Sequence, residues 1–150
     1  MIFEQTDYLS QFECKYIISL HDKSSHSIQK HYPPIKFFST SLKDIDLKTN
    51  KFDSFKFDRL RVQYVDENLD QVPTFHIHRN TWNFVLFLND NFQGGELEFK
   101  DKVFKPKTGT LIYFTGNEFH KLNNCVGERY SLVGFMNNHP LNKISNKTLI

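Results

Sequence analysis

Residues 82–88, W-N-F-V-L-F-L, form an almost unbroken apolar run rich in aromatic and β-branched side chains. Successive side chains of a strand point to opposite faces, so a run of this kind fits where both faces are covered. The strand should be central, with a layer of structure on each side. Asn83 interrupts the run and Asn89 and Asp90 end it, leaving it far too short to span a bilayer. A chain of 150 residues can build one such layered core but not a second, so 1–150 reads as a single domain.

The surrounding pattern predicts further strands. Leu60, Val62 and Tyr64 alternate with Arg59, Arg61 and Gln63, which gives a strand with one buried face. Leu97 and Phe99, the turn at Asp101 and Lys102, then Val103 and Phe104 read as a hairpin. Strands follow at about 110–114, 120–122 and 130–136, with Gly116 and Asn117 in a loop. All six glycines lie beyond residue 93, and Gly94, Gly95, Gly109 and Gly127 mark turns where a side chain would be unwelcome. Many short strands at short intervals indicate a β-sandwich or barrel, not a parallel α/β sheet.

The first half differs. Ser10 with Glu13 is a capping-box pattern, and Phe12, Tyr16, Ile17 and Leu20 recur at helical spacing, predicting a helix over about 11–22 that covers one face of a sheet. Residues 23–58 hold polar runs, Pro33 and Pro34, and aromatics without a clean period; a second short helix and irregular covering segments are expected there. The reading is thus a helical covering segment to about residue 58 and a β core over about 59–137, followed by a polar tail expected to fray.

A net charge of +2 with dispersed lysines gives no reason to expect a nucleic-acid partner. Cys14 and Cys125 match no C-x-x-C motif, and the opening residues lack the charged start and apolar run of a signal peptide, so an intracellular, cytoplasmic protein without a membrane partner is expected. The glycosylation triplet at Asn146 carries no weight without secretion. The oligomeric state is not legible.

Chemistry enters with the histidines. His76 and His78 lie two apart on a predicted strand edge, so both imidazoles can face one cavity, and His120 opens another strand. Imidazole suits iron, zinc, copper and nickel, and an open site of two histidines and one carboxylate is the usual home of non-heme iron(II) oxygenases. An H-x-H pair by itself is more often a pair of surface or core histidines than a metal site. Arg129 begins a strand dense in apolar residues; pointing inward it needs an anion, which a dicarboxylic cosubstrate would supply, whereas on the rim it needs only solvent. His21, His26, His31 and His139 lie in polar segments and read as solvated.

The stretch F-H-I-H-R-N-T-W-N-F-V-L-F-L-N-D-N-F-Q-G-G-E-L-E-F, followed by K-P-K-T-G-T-L-I-Y-F, E-F-H-K-L and G-E-R-Y-S-L, resembles the core of the 2-oxoglutarate and iron(II)-dependent dioxygenases of the prolyl-4-hydroxylase type. That family orders an H-x-D pair, a strand ending Y-L-N-D, G-G-E-L-x-F, a P-x-x-G turn, a distal histidine and G-x-R-Y. The likeness covers about residues 60–136 and extends to the helix around F-E-C-K-Y-I-I. It implies a double-stranded β-helix (jelly-roll or cupin-like), mainly β with flanking N-terminal helices. It implies Fe(II) on His76 and His120, and 2-oxoglutarate with its distal carboxylate on Arg129 and Tyr64, with ascorbate as an optional reductant. The reaction implied is C–H hydroxylation of a prolyl or other amino-acid side chain, in a peptide or small molecule, coupled to release of succinate and carbon dioxide.

One position departs from the family: His78 stands where its aspartate ligand belongs. His78 could ligate, giving a three-histidine site. The register could shift so that His78 is the first ligand and Asn80 takes the aspartate position. A carboxylate from the 66–70 segment could reach in, or the site could hold metal poorly and be inactive. The functional alternatives are a cupin-like or degenerate domain that binds metal or a small acid, and a three-histidine dioxygenase independent of 2-oxoglutarate.

Overall fold

The computed structural model describes residues 1–21, 27–30, 36–69, 73–137 and 148–149. In chain order the elements are β1 (Ile2–Gln5), α1 (Gln11–Ser19), β2 (Ser27–Lys30), β3 (Lys36–Ser41), β4 (Phe57–Asp66), β5 (Trp82–Phe87), β6 (Gln93–Gly94), β7 (Leu97–Phe99), β8 (Val103–Phe104), β9 (Leu111–Thr115), β10 (His120–Leu122), β11 (Cys125–Val126), β12 (Glu128–Met136) and β13 (Thr148–Leu149). Eight strands form one antiparallel sheet in the order β13-β1-β9-β5-β12-β4-β3-β2; β10-β7-β8 form a second sheet and β11-β6 a third. This is the double-stranded β-helix the sequence implies.

β5 lies between β9 and β12, and all six of its residues are buried. Its even-numbered residues, Trp82, Phe84 and Leu86, join an outer core with Cys14 and Ile17 of α1 and with Phe52 and Phe55. Val85 and Phe87 join an inner core with Leu97, Phe99 and Phe104 of the second sheet. Each such buried apolar side chain stabilises the fold by about 1.5–3 kcal/mol. The two-faced apolar run therefore has the physical cause expected of it.

α1 begins at the capping box, with the Glu13 amide donating to Ser10 Oγ and the Ser10 amide to Glu13 Oε1. It ends at Ser19 and packs Cys14 and Ile17 inward, while Phe12 is 79% exposed. The second short helix expected between 23 and 58 does not occur among the described residues; β2 and β3 extend the large sheet there instead. Pro33, Pro34, His26, His31, Asp70, His139 and Asn146 lie outside the described residues. Of the polar tail, β13 is described and pairs with β1. His21, expected in solvent, is buried: its ring stacks 5.7 Å from that of Tyr64, and Nδ1 lies 2.8 Å from Thr40 Oγ1.

Gly94, Gly95, Gly109 and Gly127 all have positive φ, as turns of this kind require. Among the described residues no helix is long and apolar enough to cross a membrane.

Candidate metal centre

Residues paired across an antiparallel sheet share a face, so the registers of β4, β12, β5 and β9 define the inner wall rung by rung. The first rung is Val65 and Arg129. The second is Gln63, Ser131 and Phe87, with Thr110 just beyond, where it accepts a hydrogen bond from the Phe87 amide. The third is Arg61, Val133, Val85 and Ile112; the fourth is Arg59, Phe135, Asn83 and Phe114.

The histidines close over the fourth rung. His76 and His120 form an antiparallel bridge, each amide donating to the other's carbonyl at 2.9 and 3.1 Å. His78 is held by its own amide, which donates to Gly116 O at 3.0 Å. A Cβ at Gly116 would stand 1.8 Å from Asn80 O and 2.9 Å from His78 O, so the His78 segment approaches this closely because position 116 has no side chain. The Phe135 ring lies 5.0 Å from that of His78, and the Phe114 ring 4.7 Å from that of His120.

One ligand atom from each of His76, His78 and His120 lies within 4.8 Å of the others. Nδ1 of His76 is 2.9 Å from Thr74 O, and Nδ1 of His120 is 2.9 Å from Glu118 O. A backbone carbonyl can only accept, so each Nδ1 carries the proton and each Nε2 presents a lone pair. His78 Nε2 lies 3.1 Å from His120 Nε2. Two nitrogens bound to one ion at about 2.1 Å in neighbouring positions stand about 3 Å apart, so this spacing suits a shared metal ion. Burial, with His76 adding to it, pushes the His120 pKa down to about 4, keeping the imidazole neutral and able to ligate near neutrality. The donor set fits a divalent transition metal.

Asn80 turns elsewhere: its Nδ2 donates to Asp58 Oδ2 at 3.0 Å and its Oδ1 accepts from Arg59 at 3.4 Å. Asp66 accepts from Tyr64 and from the Asn68 amide and is not in the cluster. Among the described residues, the geometry is that of three histidines in one place, the first of the arrangements left open by the sequence.

Arg129 points inward and is 3% exposed. Its Nη1 donates to Asn123 O at 2.9 Å and to Gly95 O at 3.5 Å, and among the described residues no carboxylate forms an ion pair with it. Gly95 makes room for it, since a Cβ there, at φ +70°, would lie 3.2 Å from Nη1.

Tyr64 does not join Arg129. It pairs with Tyr130 and therefore lies on the outer face, stacked on His21, whereas Arg129 pairs with Val65 on the inner face. Its hydroxyl sits 2.8 Å from Asp66 Oδ2 and 2.9 Å from Glu128 Oε2; burial and these two acceptors raise its pKa. A third carboxylate would be repelled there. The expectation that Tyr64 holds the cosubstrate is corrected by strand parity.

Three inner-wall residues went unnoticed in the sequence. Among the described residues, the buried hydroxyls of Ser131 and Thr110 have no hydrogen-bond partner, nor have Nδ2 and Oδ1 of Asn83. Parity with Arg129 could have marked Ser131, two residues on along the same strand.

A β-sandwich that gathers three imidazoles at one end of its inner wall and a buried guanidinium at the other is built as a metal-dependent oxygenase scaffold. Residues 55–137, more than half of the chain, match the family model of the 2OG-Fe(II) oxygenase superfamily, and the chain belongs to that family. No curated protein matches the sequence significantly. Among solved structures it is similar to an oxidoreductase of the 2OG-Fe(II) oxygenase family from Burkholderia pseudomallei (15% identity, 89% of this chain and 83% of that one, TM-score 0.64). It is similar also to the viral collagen prolyl hydroxylase of Paramecium Bursaria Chlorella virus-1 in a truncated form (18%, 89% and 87%, 0.60). A third is a Pseudomonas putida prolyl-4-hydroxylase (17%, 91% and 92%, 0.59). At these identities the likeness establishes the shared fold.

Proposed function

We propose that the protein hydroxylates a C–H bond with Fe(II) held by His76, His78 and His120 and 2-oxoglutarate oriented by Arg129. The single observation that carries this reading is the buried guanidinium without a carboxylate ion pair among the described residues, on the same wall as the imidazole cluster. Burying an unpaired cation costs several kcal/mol, and an incoming carboxylate removes much of that cost. The Ser131 hydroxyl, on the same face two residues away, is positioned to donate to the same carboxylate. Iron and the keto acid, when bound, supply the oxidative decarboxylation that drives hydroxylation. Three neutral imidazoles leave both charges of a divalent ion to be balanced by its ligand, which suits a dianionic keto acid.

Prolyl peptides are the first substrates to test, since two of the structural neighbours are prolyl hydroxylases. Anaerobically loaded protein exposed to oxygen should release succinate in proportion to 2-oxoglutarate consumed, with ascorbate tested as a reductant. His120→Ala and Arg129→Ala should abolish the release. Absence of succinate at every metal loading would leave a binding domain. The lack of a carboxylate in the cluster among the described residues favours a second reading, a three-histidine dioxygenase independent of the keto acid. Oxygen uptake would then persist without 2-oxoglutarate.

A further inference from the structure

Arg59 pairs with Phe135 on the fourth rung, the one the histidines close over, and its side chain is exposed. Its Cζ lies 4.3 Å from the centre of the Phe135 ring, which lies 5.0 Å from the His78 ring, so an ion held by Arg59 stands beside the metal centre. A second guanidinium, that of buried Arg61 on the third rung, approaches the same ring at 5.4 Å. Burial and the charge of Arg59 hold the Arg61 pKa below its usual value. Asp58, next in the chain, does not neutralise Arg59. Asn80 stands between them, its Oδ1 accepting from Arg59 Nη2 at 3.4 Å and its Nδ2 donating to Asp58 Oδ2 at 3.0 Å. Among the described residues Arg59 has no ion pair, and that bond to Asn80 is its only hydrogen bond, so most of its donors are left for a ligand. An arginine on a rim ordinarily needs only solvent. This one is stacked on the ring that packs against a metal-site imidazole, with a second cation drawn to the same ring, and that placement calls for an anion.

The keto acid is not that anion. Arg59 and Val65, the partner of Arg129, are six residues apart on β4, about 20 Å along the strand. A keto acid whose far end rests on Arg129 leaves Arg59 to a second molecule. We propose that Arg59 anchors the substrate through a carboxylate, paired in the bidentate geometry that a guanidinium fork offers. The proposal rests on the oxygenase reading and adds the class of substrate: a carboxylate-bearing molecule whose reacting C–H lies a few bonds from the carboxylate. The Phe135 ring would support the alkyl segment between the two. A neutral group would leave the charge at the mouth uncompensated, and a cation would be repelled by both guanidiniums.

The test uses the whole chain, nitrogen-15-labelled, loaded with Zn(II) and saturated with 2-oxoglutarate so that the metal and Arg129 are occupied. Butyrate, its neutral analogue butyramide and sodium chloride are the probes. The Arg59 Nε–H resonance should shift saturably with butyrate and stay in place with equal butyramide or chloride. Arg59→Gln should bind Zn(II) like the wild type and butyrate about tenfold or more weakly; Arg59→Lys, which keeps the charge without the fork, should fall between. With Mn(II) in place of Zn(II), the butyrate proton signals should broaden in the wild type and stay sharp in Arg59→Gln, as they must if the anion sits beside the metal. An Arg59 resonance that ignores butyrate, or follows butyramide or chloride equally, overturns the proposal, as does bound butyrate that Mn(II) leaves sharp. If the variants do not fold, the wild-type titrations decide. If Zn(II) or the keto acid fails to bind, the oxygenase reading falls, while the butyrate titration of the metal-free protein still decides the role of Arg59.

Discussion

Replacing Arg129 with methionine separates a structural cation from one waiting for a ligand. In the ligand-free protein the side chain is 3% exposed and donates to two backbone carbonyls, with no carboxylate partner among the described residues. Hydrogen bonds from a charged group contribute about 1.5–3 kcal/mol each, while the desolvation of an unpaired buried ion costs several kcal/mol. The two nearly cancel, so Arg129→Met should alter metal-free stability by less than about 2 kcal/mol in either direction. Ligand binding reveals the difference. At a hundredfold excess over its dissociation constant, 2-oxoglutarate stabilises the wild type by about 2.7 kcal/mol, or about 5–11 °C for a chain of this size. The assay is thermal unfolding of anaerobic Mn(II)-loaded protein with and without 2-oxoglutarate. The wild type should show the shift, and Arg129→Met should be folded and show none. A variant that keeps the shift refutes the assignment of Arg129, and one that unfolds by itself shows that the guanidinium is held by structure alone.

Three further outcomes follow from the geometry. Gly116→Ala drives a Cβ into Asn80 O at 1.8 Å and must displace the His78 segment; metal affinity in a Zn(II) titration should fall about 10–100-fold. Tyr64→Phe should leave the half-saturating 2-oxoglutarate concentration unchanged, because the hydroxyl is committed to Asp66 and Glu128 on the other face; a several-fold rise would restore it to the cosubstrate site. In the metal-free protein His120 is held at a pKa of about 4, below its unfolded value, so the unfolded chain takes up the proton first as pH falls. That contribution is complete above about pH 6.5 and is lost toward pH 4, at most about 3 kcal/mol; denaturant melts should show this loss shrink when His120 is replaced by Gln.

Much of the fold could be read along the chain because its signals are local. The run at 82–88 demanded a strand covered on both sides, and the capping box placed the start of α1. The strands at 27–30 and 36–41 were misread because their sequence resembles irregular chain; β3 is specified by pairing with β4, a non-local partner, and β2 by pairing with β3. At the candidate site, the H-x-H spacing marked His76 and His78 and the motif order marked His120 and Arg129; the three imidazoles cluster, and Arg129 is buried on the same wall. Tyr64 was misplaced because motif order does not encode which face of a strand a residue occupies; its register against Tyr130 decides that. Asn83 and Ser131 were passed over because a lone polar residue in an apolar strand looks like an interruption until its neighbours across the sheet are known.

A crystal structure of the chain loaded anaerobically with Fe(II) and 2-oxoglutarate tests the centre directly. The account predicts one iron bonded to Nε2 of His76, His78 and His120, chelated by the keto acid, whose far carboxylate meets Arg129. An iron bound by two of these imidazoles with His78 swung away, or a keto acid whose far end lies apart from Arg129, would contradict it.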